Sequence, residues 1–284
     1  TVSITDANSC FNYTWQDIDT PSEITVTGTP TIVTCKGGED GSITASATGG
    51  TPGYTYNWNN GGTTETITGL VTGTYTVTVT DANTCSMTGT FFVDENPAIT
   101  ITLVGKTDPL CYASADGTIT VSASGGVSPY YYNWTTPPGG TEATVTGLAT
   151  GTYTVTVTDV GSCQATAEYT VTAPPAVTVT LVKTDITCYT YNNGTITASA
   201  SGGTTPPGYY YNWSNGATTE AITGLSAGWY TVTVTDGNSC QAIETAQITE
   251  PDPWYVEIHG PTKVCCTSPV LAHYNASVSG WLGY

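Results

Sequence analysis

The heptapeptide Tyr75-Thr-Val-Thr-Val-Thr-Asp81 recurs in this chain at residues 153–159 and again at residues 230–236. The copies lie 78 and 77 positions apart, and recurrence at that scale is typical of an array of structural modules. Within each copy the tyrosine and the two valines occupy alternate positions, which predicts a β-strand with one apolar face and one threonine-rich face. The chain is therefore predicted to be a tandem array of β modules.

Prolines at the module starts keep the same period. Pro21, Pro97, Pro175 and Pro253 are separated by 76, 78 and 78 positions. They predict three complete modules of about 77 residues, at 21–96, 97–174 and 175–252. Residues 1–20 match the C-terminal strands of an incomplete module, and residues 253–284 match the N-terminal strands of another.

The charge of the chain restricts its partners. It has no arginine, four lysines and 22 acidic residues, with a net charge of −18. Such a surface cannot neutralise phosphates, so nucleic acid is not expected as a partner. It also repels an anionic membrane surface, and no window holds the roughly 18 to 20 uninterrupted apolar residues of a membrane-spanning helix. Direct membrane insertion is therefore not expected.

The strand pattern predicts the architecture of each module. Residues 97–174 contain several alternating apolar stretches separated by glycine and proline turn signals, and nothing in them indicates a helix. About seven short strands with one tryptophan are typical of a small immunoglobulin-like β-sandwich. Trp58, Trp134 and Trp213 recur in a Tyr-x-Tyr-Asn-Trp frame and are predicted to lie in the core.

Nine cysteines in a chain with few charges indicate an oxidising, extracellular or cell-surface setting. Each complete module has one cysteine near its start and one near its end, 50 to 52 residues apart. This spacing predicts one disulfide within each module, with about 4 kcal/mol of stabilisation in the chain-entropy model. The predicted pairs are Cys35 with Cys85, Cys111 with Cys163, and Cys188 with Cys240.

Two tyrosines are candidate glycan contacts. Tyr131 and Tyr210 alternate with the core-facing aromatics of the tryptophan frame, so their rings should face solvent, where they could stack on sugars. The first module has Thr55 at this position, so binding through tyrosine should be weaker there. Asn-x-Ser/Thr sequences mark candidate N-glycosylation sites, which are Asn12, Asn133, Asn193, Asn212 and Asn275.

Acidic residues recur beside the predicted turns, as at Asp81, Asp159 and Asp236. Turn stabilisation by the aspartate side chain explains them, while calcium binding is the alternative, for which no loop has the dense acidic pattern of an EF-hand. No cofactor and no metal ligand set is predicted. His259 and His273 lack any accompanying catalytic motif, so no catalytic residue is assigned and no enzyme is expected.

The order of landmarks resembles the SprB-type repeat of very large bacterial surface adhesins. In the second module it comprises Cys111, Asp116-Gly117, Gly125-Gly126, Pro129, Tyr130, Tyr132, Trp134, Thr146-Gly147-Leu148, Gly151, Tyr153, Asp159 and Cys163. The resemblance extends over residues 21–252 and implies an immunoglobulin-like or PKD-like module of a cell-surface protein. The segment around Cys265 lacks the Asp-Gly and aromatic landmarks, so it departs from this pattern.

Residues 1–20 complement residues 253–284. Gly283-Tyr284 followed by Thr1-Val-Ser-Ile-Thr-Asp6 would reproduce the end of a module. One interpretation is head-to-tail assembly of copies into a homopolymer by strand addition, with Cys10 bonded to Cys265 or Cys266 across the junction. The other interpretation is that the chain is a segment of a longer array of the same repeats. The predicted function is an extracellular structural protein that forms or extends a surface filament for adhesion or matrix scaffolding, and the alternative is a carbohydrate-binding adhesin stalk.

Overall fold

A computed structural model describes residues 2–15, 20–135, 139–205, 207–253, 255–259 and 275–279. Each regular element within these ranges is a β-strand, which confirms the predicted all-β fold class. The strands are β1 (Val2–Thr5), β2 (Phe11–Thr14), β3 (Thr25–Thr31), β4 (Gly41–Thr48), β5 (Thr55–Trp58), β6 (Thr66–Leu70), β7 (Gly73–Thr80), β8 (Ser86–Val93), β9 (Thr100–Thr107), β10 (Gly117–Ser124), β11 (Tyr130–Trp134), β12 (Thr144–Leu148), β13 (Gly151–Asp159), β14 (Gln164–Val171), β15 (Thr178–Thr184), β16 (Gly194–Ser201), β17 (Tyr210–Trp213), β18 (Ala221–Leu225), β19 (Gly228–Thr235), β20 (Gln241–Ile248), β21 (Tyr255–His259) and β22 (Asn275–Ser279).

The chain divides into two compact units. The first comprises Thr1–Val104, Thr120–Ala143 and Thr154–Glu168, and the second comprises Gly105–Ile119, Thr144–Tyr153 and Tyr169–Tyr284. Repeat 1 (residues 21–96) lies in the first unit and repeat 3 (residues 175–252) in the second, whereas the strands of repeat 2 (residues 97–174) are distributed between them.

Repeat 1 folds into two antiparallel three-stranded sheets, with strand orders β3-β4-β6 and β5-β7-β8. These orders correspond to strands A-B-E and C-F-G of an immunoglobulin sandwich. The repeat thus has six strands rather than the predicted seven or so, because it has no equivalent of strand D. Repeat 3 follows the same orders, β15-β16-β18 and β17-β19-β20, and so do the sheets β12-β10-β9 and β11-β13-β14 of repeat 2.

The core of each sandwich is formed by alternate residues of facing strands. In repeat 1, Val77 and Val79 of β7 are fully buried, while the threonines between them face outward. Trp58, at the end of β5, is 2% exposed and packs in the same cluster. Trp213 is equally buried in repeat 3, and Trp134 is 3% exposed, which confirms the predicted core role of the tryptophans.

Within the described residues, two short hairpins lie outside the complete repeats. Strands β1 and β2 pair in antiparallel register from Val2 opposite Thr14 to Thr5 opposite Phe11. Strands β21 and β22 pair from Tyr255 opposite Ser279 to His259 opposite Asn275. Cys265 and Cys266 lie outside the described residues.

The predicted disulfide pairing within repeats is wrong. The structure bonds Cys35 to Cys163 and Cys111 to Cys240, so neither Cys35–Cys85, Cys111–Cys163 nor Cys188–Cys240 occurs. In repeat 1 the first cysteine lies between β3 and β4, and the closing cysteine lies between β7 and β8. These connections are at opposite ends of the sandwich, separated by the eight residues of β7, or about 26 Å of strand. A disulfide requires Cα atoms less than about 7 Å apart, so it can form only with a neighbouring repeat.

Candidate functional site: disulfide junctions between repeats

The same kind of disulfide joins repeat 1 to repeat 2 and repeat 2 to repeat 3. The first cysteine of a repeat bonds to the closing cysteine of the next, across sequence separations of 128 and 129 residues. The Cα atoms of the two pairs are 5.5 and 5.6 Å apart. Two bridges of the same kind, one repeat apart, define the rule by which this array is cross-linked.

One side of each junction is the first-cysteine loop, which comprises residues 32–40 in repeat 1, 108–116 in repeat 2 and 185–193 in repeat 3. In repeat 1 the N–H of Thr34 donates to Asp40 Oδ1 at 2.9 Å, and the N–H of Gly38 donates to the carbonyl of Cys35 at 2.8 Å. Hydrogen bonds from Thr34 hold the pKa of the Asp40 carboxyl below its usual value. These hydrogen bonds therefore hold the backbone in place on both sides of Cys35.

The first-cysteine loop of repeat 1 is also tied to the end of its own repeat. Lys36 forms an ion pair with Glu95, and the N–H of Gly37 donates to Glu95 Oε2 at 2.8 Å. The hydrogen bond from Lys36 is the main reason that the pKa of Glu95 is lowered. Asn96 Nδ2 donates to the carbonyl of Thr34 at 3.0 Å. The loop is thus fixed where the chain leaves repeat 1.

The other side of each junction is the closing turn, comprising residues 81–85, 159–163 and 236–240. It begins with a buried aspartate: Asp236 is 2% exposed, and its Oδ1 accepts the N–H groups of Asn238 and Cys240 at 2.9 and 2.8 Å. Its Oδ2 accepts the N–H of Thr204 at 2.7 Å. Ser239, just before the cysteine, has a φ of 68°, a left-handed conformation stabilised by this set of bonds.

A glycine pair makes room for each buried aspartate. A Cβ atom on Gly203 would lie 2.4 Å from Asp236 Oδ2, and one on Gly202 would lie 1.9 Å from the carbonyl oxygen of Ala176. Both glycines have positive φ, at 80° for Gly202 and 63° for Gly203. The Gly-Gly pair is therefore required, because the aspartate and the backbone at the start of the repeat lie too close to these two positions to leave room for a side chain.

Polar contacts accompany the disulfide at each junction. The Sγ atom of Cys163 lies 3.3 Å from the carbonyl oxygen of Thr34, and Cys240 Sγ lies 3.3 Å from that of Leu110. At the second junction Asn238 Nδ2 also donates to the Leu110 carbonyl at 3.3 Å. At both junctions the closing cysteine thus also lies against the backbone of the first-cysteine loop.

Stability is expected to fall in acid because two of the closing-turn carboxylates, Asp81 and Asp236, are stabilised in their ionised form. Hydrogen bonds lower the pKa of Asp81, and the largest contribution comes from the N–H of Thr51. Burial by itself would raise the pKa of Asp236, but the backbone hydrogen bonds to its carboxylate outweigh burial and lower the pKa. A folded-state pKa below the unfolded value gives stability that is present above about pH 4 and lost as the pH falls through the folded pKa. Urea unfolding midpoints should be equal at pH 7 and 5.5 and lower at pH 2.5. A midpoint unchanged at pH 2.5 would contradict this expectation.

The candidate glycan-contact tyrosines and the asparagines of the glycosylation sequences were also predicted from the sequence. Tyr131 and Tyr210 are 59% and 61% exposed, as predicted from strand alternation, and Thr55 of repeat 1 is also exposed. Their contact with glycans stays a prediction. Among the sequons with described side chains, each asparagine is exposed, and these are Asn12, Asn133, Asn193 and Asn212. Asn275 lies in β22, and glycosylation stays a prediction at all five positions.

The recurrent aspartates act as turn anchors in the structure. Asp81, Asp159 and Asp236 are each buried, and each accepts hydrogen bonds from backbone N–H groups. Within the part of the chain that the structure describes, no three histidine, cysteine or carboxylate side chains converge on a common point. The sequence indicated the turn chemistry, but the burial of these carboxylates could not be read from it.

These repeats define a tandem array of immunoglobulin-like β-sandwiches. Its segments 24–63, 103–139 and 180–218 match the SprB repeat family model, and each match includes the first cysteine and the buried tryptophan of its repeat. Three segments of the chain thus match the SprB repeat, as the resemblance implied. No curated protein matches the chain.

Solved structures that match the chain include immunoglobulin-domain arrays and domains of a phage capsid protein. The three N-terminal domains of the outer capsid protein Hoc of bacteriophage RB49 are 15% identical over 79% of this chain and 94% of that one, with a TM-score of 0.39. Sidekick-1 immunoglobulin domains 1–5 are 15% identical over 81% of this chain, with a TM-score of 0.31, and the eight N-terminal domains of DSCAM are 13% identical over 79%, with a TM-score of 0.36. The chain spans 60% and 36% of these last two. The strand orders of the sheets define the immunoglobulin-like fold of the repeats.

No helix in the described ranges is long and apolar enough to cross a membrane.

Proposed function

We propose that this chain is an extracellular structural repeat protein that extends a surface filament, serving adhesion or matrix scaffolding. The observation that carries the proposal is that the two disulfides of the described residues each join one repeat to the next and do not close a single repeat. Such bonds add a covalent connection parallel to the polypeptide linker. That arrangement suits a filament that bears tension, and stable disulfides require an oxidising compartment such as the cell exterior.

The hairpin β1–β2 supports assembly between chains. Its Ile4 is 72% exposed, although the equivalent residues of the complete repeats, Val79, Val157 and Val234, are fully buried. An apolar position that three repeats bury is favourable only when covered. Head-to-tail strand addition, in which this hairpin completes the sandwich of another copy, would cover it.

Electron microscopy of the oxidised chain tests this function. We expect filaments whose length increases with protein concentration and decreases after reduction with dithiothreitol. A monomer at all concentrations, by light scattering and by microscopy, would contradict filament assembly by this chain.

Carbohydrate binding is the second candidate, favoured by the exposure of Tyr131 and Tyr210 on corresponding strands of two repeats. These strands present an aromatic ring where repeat 1 presents Thr55. Such rings can stack on sugar rings. This mode of binding would not require the disulfide junctions.

A glycan array would test the carbohydrate candidate. If it holds, the double variant Tyr131→Ala/Tyr210→Ala should bind at least tenfold more weakly, because one buried aromatic contact contributes about 1.5 to 3 kcal/mol. Thr55→Ala is the matched control and should leave binding unchanged. Equal binding by the double variant and the parent protein would eliminate a role for these tyrosines.

A further inference from the structure

Three cysteines in the described part of the chain are outside any disulfide, and all are exposed: Cys10, Cys85 and Cys188. They are of two kinds. Cys188 is the first cysteine of repeat 3, whereas Cys85 is the closing cysteine of repeat 1 and Cys10 occupies the closing position of the β1–β2 hairpin. Both observed bridges join one first cysteine to one closing cysteine. Each of these three thiols therefore corresponds to one side of a further junction.

The loop that holds Cys188 makes the same two hydrogen bonds as the bonded loop of Cys111, and Thr190 has a φ of 66°, close to the 73° of Gly37 in the bonded loop of Cys35. The N–H of Thr187 donates to Asn193 Oδ1 at 3.2 Å, as the N–H of Leu110 donates to Asp116 Oδ1 at 3.3 Å. The same turn bond closes each loop at 3.1 Å, between the N–H three residues further on and the cysteine carbonyl. Cys188 therefore lies in a loop closed by the same hydrogen bonds as the loop that holds Cys111.

The turn that holds Cys10 has the conformation of the bonded closing turns. Asp6 Oδ1 accepts the N–H groups of Asn8 and Cys10, both at 2.9 Å, which reproduces the bonds that Asp236 makes in its turn. Ser9 has a φ of 64°, against 68° for Ser239. Residues 6–10 are thus a fourth closing turn, already in the geometry of the bonded ones.

Asn8 adds a second feature suited to a junction. It occupies the position of Asn238, whose side chain donates to the Leu110 carbonyl of the preceding repeat. The corresponding carbonyl of the Cys188 loop is that of Thr187. The Cys10 turn therefore carries both the thiol and the amide donor with which a closing turn engages a first-cysteine loop.

We propose that Cys188 of one copy forms a disulfide with Cys10 of a second copy, which continues the cross-linking of repeats from chain to chain. This inference rests on the proposed filament function and names its covalent junction. A bond between Cys10 and Cys265, expected from spacing alone, would join two cysteines of one composite repeat and break the rule that both observed bridges follow.

Cys85 has a different role in the same scheme. The groove beside it is lined by Pro21, Ile24 and Met87 of repeat 1, whereas the groove beside Cys163 is also lined by Cys35 and Lys36 of the preceding repeat. Cys85 is thus placed to bond to the first cysteine of whichever repeat precedes repeat 1. The hairpin with Cys10 is the closing hairpin of that preceding repeat, so Cys10, and not Cys85, is the partner of Cys188.

Disulfide formation removes two electrons and two protons from the thiol pair, so it requires an oxidant, for which a small-molecule disulfide suffices. The thiolate of Cys188 attacks this disulfide and releases one small thiol, which carries away a proton. The thiolate of Cys10 then attacks the Cys188 sulfur of the mixed disulfide and releases the second thiol. One protein disulfide and two small thiols replace two protein thiols and one small disulfide.

Mixed-isotope disulfide mapping tests the inference. Equal amounts of ¹⁴N- and ¹⁵N-labelled chain are reduced mildly, mixed, oxidised with oxidised glutathione, digested without reduction and analysed by mass spectrometry. We expect a peptide pair that joins Cys10 to Cys188, with about half of the pairs carrying one label on each side. Cys188→Ser should abolish this pair, while the matched variant Cys85→Ser should leave it intact.

The other outcomes overturn the inference. They are Cys188 joined to Cys85, Cys10 joined to Cys265 or Cys266, both thiols still reduced, or a Cys10–Cys188 pair in which both peptides always carry the same label. Electron microscopy of the same samples separates this inference from the proposed function. Filaments without the Cys10–Cys188 pair would overturn the inference but leave the filament function standing.

Discussion

Stretching this protein from its ends is expected to extend the region between Cys35 and Cys240 to only about 270 Å, because the two bridges shorten the loaded path. One path runs along the chain from Cys35 to Cys111 and then through a disulfide to Cys240. The other runs through a disulfide from Cys35 to Cys163 and then along the chain to Cys240. Each path follows the chain for one repeat period, so both become taut at nearly the same length and share the force. Without the bridges, the whole segment from Cys35 to Cys240 is loaded and should extend to about 720 Å, at about 3.5 Å per residue.

Single-molecule force spectroscopy of cysteine variants measures this directly. Either single variant, Cys35→Ser or Cys111→Ser, keeps one complete short path, so the extension should stay that of the parent protein. The double variant Cys35→Ser/Cys111→Ser should reach the full length of the unbridged segment, an increase of roughly 2.7-fold, as should the parent protein after reduction. The full unbridged extension in the oxidised parent protein would show that the bridges do not join the repeats as described.

Replacing Asp236 by asparagine should destabilise repeat 3 by about 3 kcal/mol, because the amide cannot replace all the bonds of the carboxylate. Both carboxylate oxygens are in use: Oδ2 accepts the N–H of Thr204, and Oδ1 accepts the N–H groups of Asn238 and Cys240. Whichever way the amide is turned, an NH₂ group faces a buried N–H donor. The free energy of unfolding from urea titration, monitored by tryptophan fluorescence, measures the loss.

Asp252→Asn is the matched control for this substitution. Asp252 is exposed in the same unit, so its replacement changes the net charge equally and should cost less than about 0.5 kcal/mol. If the two variants unfold at the same urea concentration, the buried carboxylate is not the anchor of the closing turn.

Local features of the sequence predicted much of the fold. Strand alternation in Thr-Val-Thr-Val-Thr correctly indicated which face of β7, β13 and β19 is buried, because alternate side chains of a strand point to opposite faces. The same alternation placed the tryptophans in the core and Tyr131 and Tyr210 in solvent. The glycine pairs were recognisable as turn signals, although only the structure shows that Asp236 approaches Gly203 too closely for a side chain.

The sequence by itself determined the period, the all-β class, the core positions and the presence of two cysteines in each repeat. Only the tertiary structure decided how those cysteines pair. The spacing of 50 to 52 residues within a repeat was compatible with a bond between them, since sequence distance does not reveal at which end of a sandwich a loop lies. The A-B-E and C-F-G strand orders place the first cysteine and the closing cysteine at opposite ends, so each reaches only the adjoining repeat.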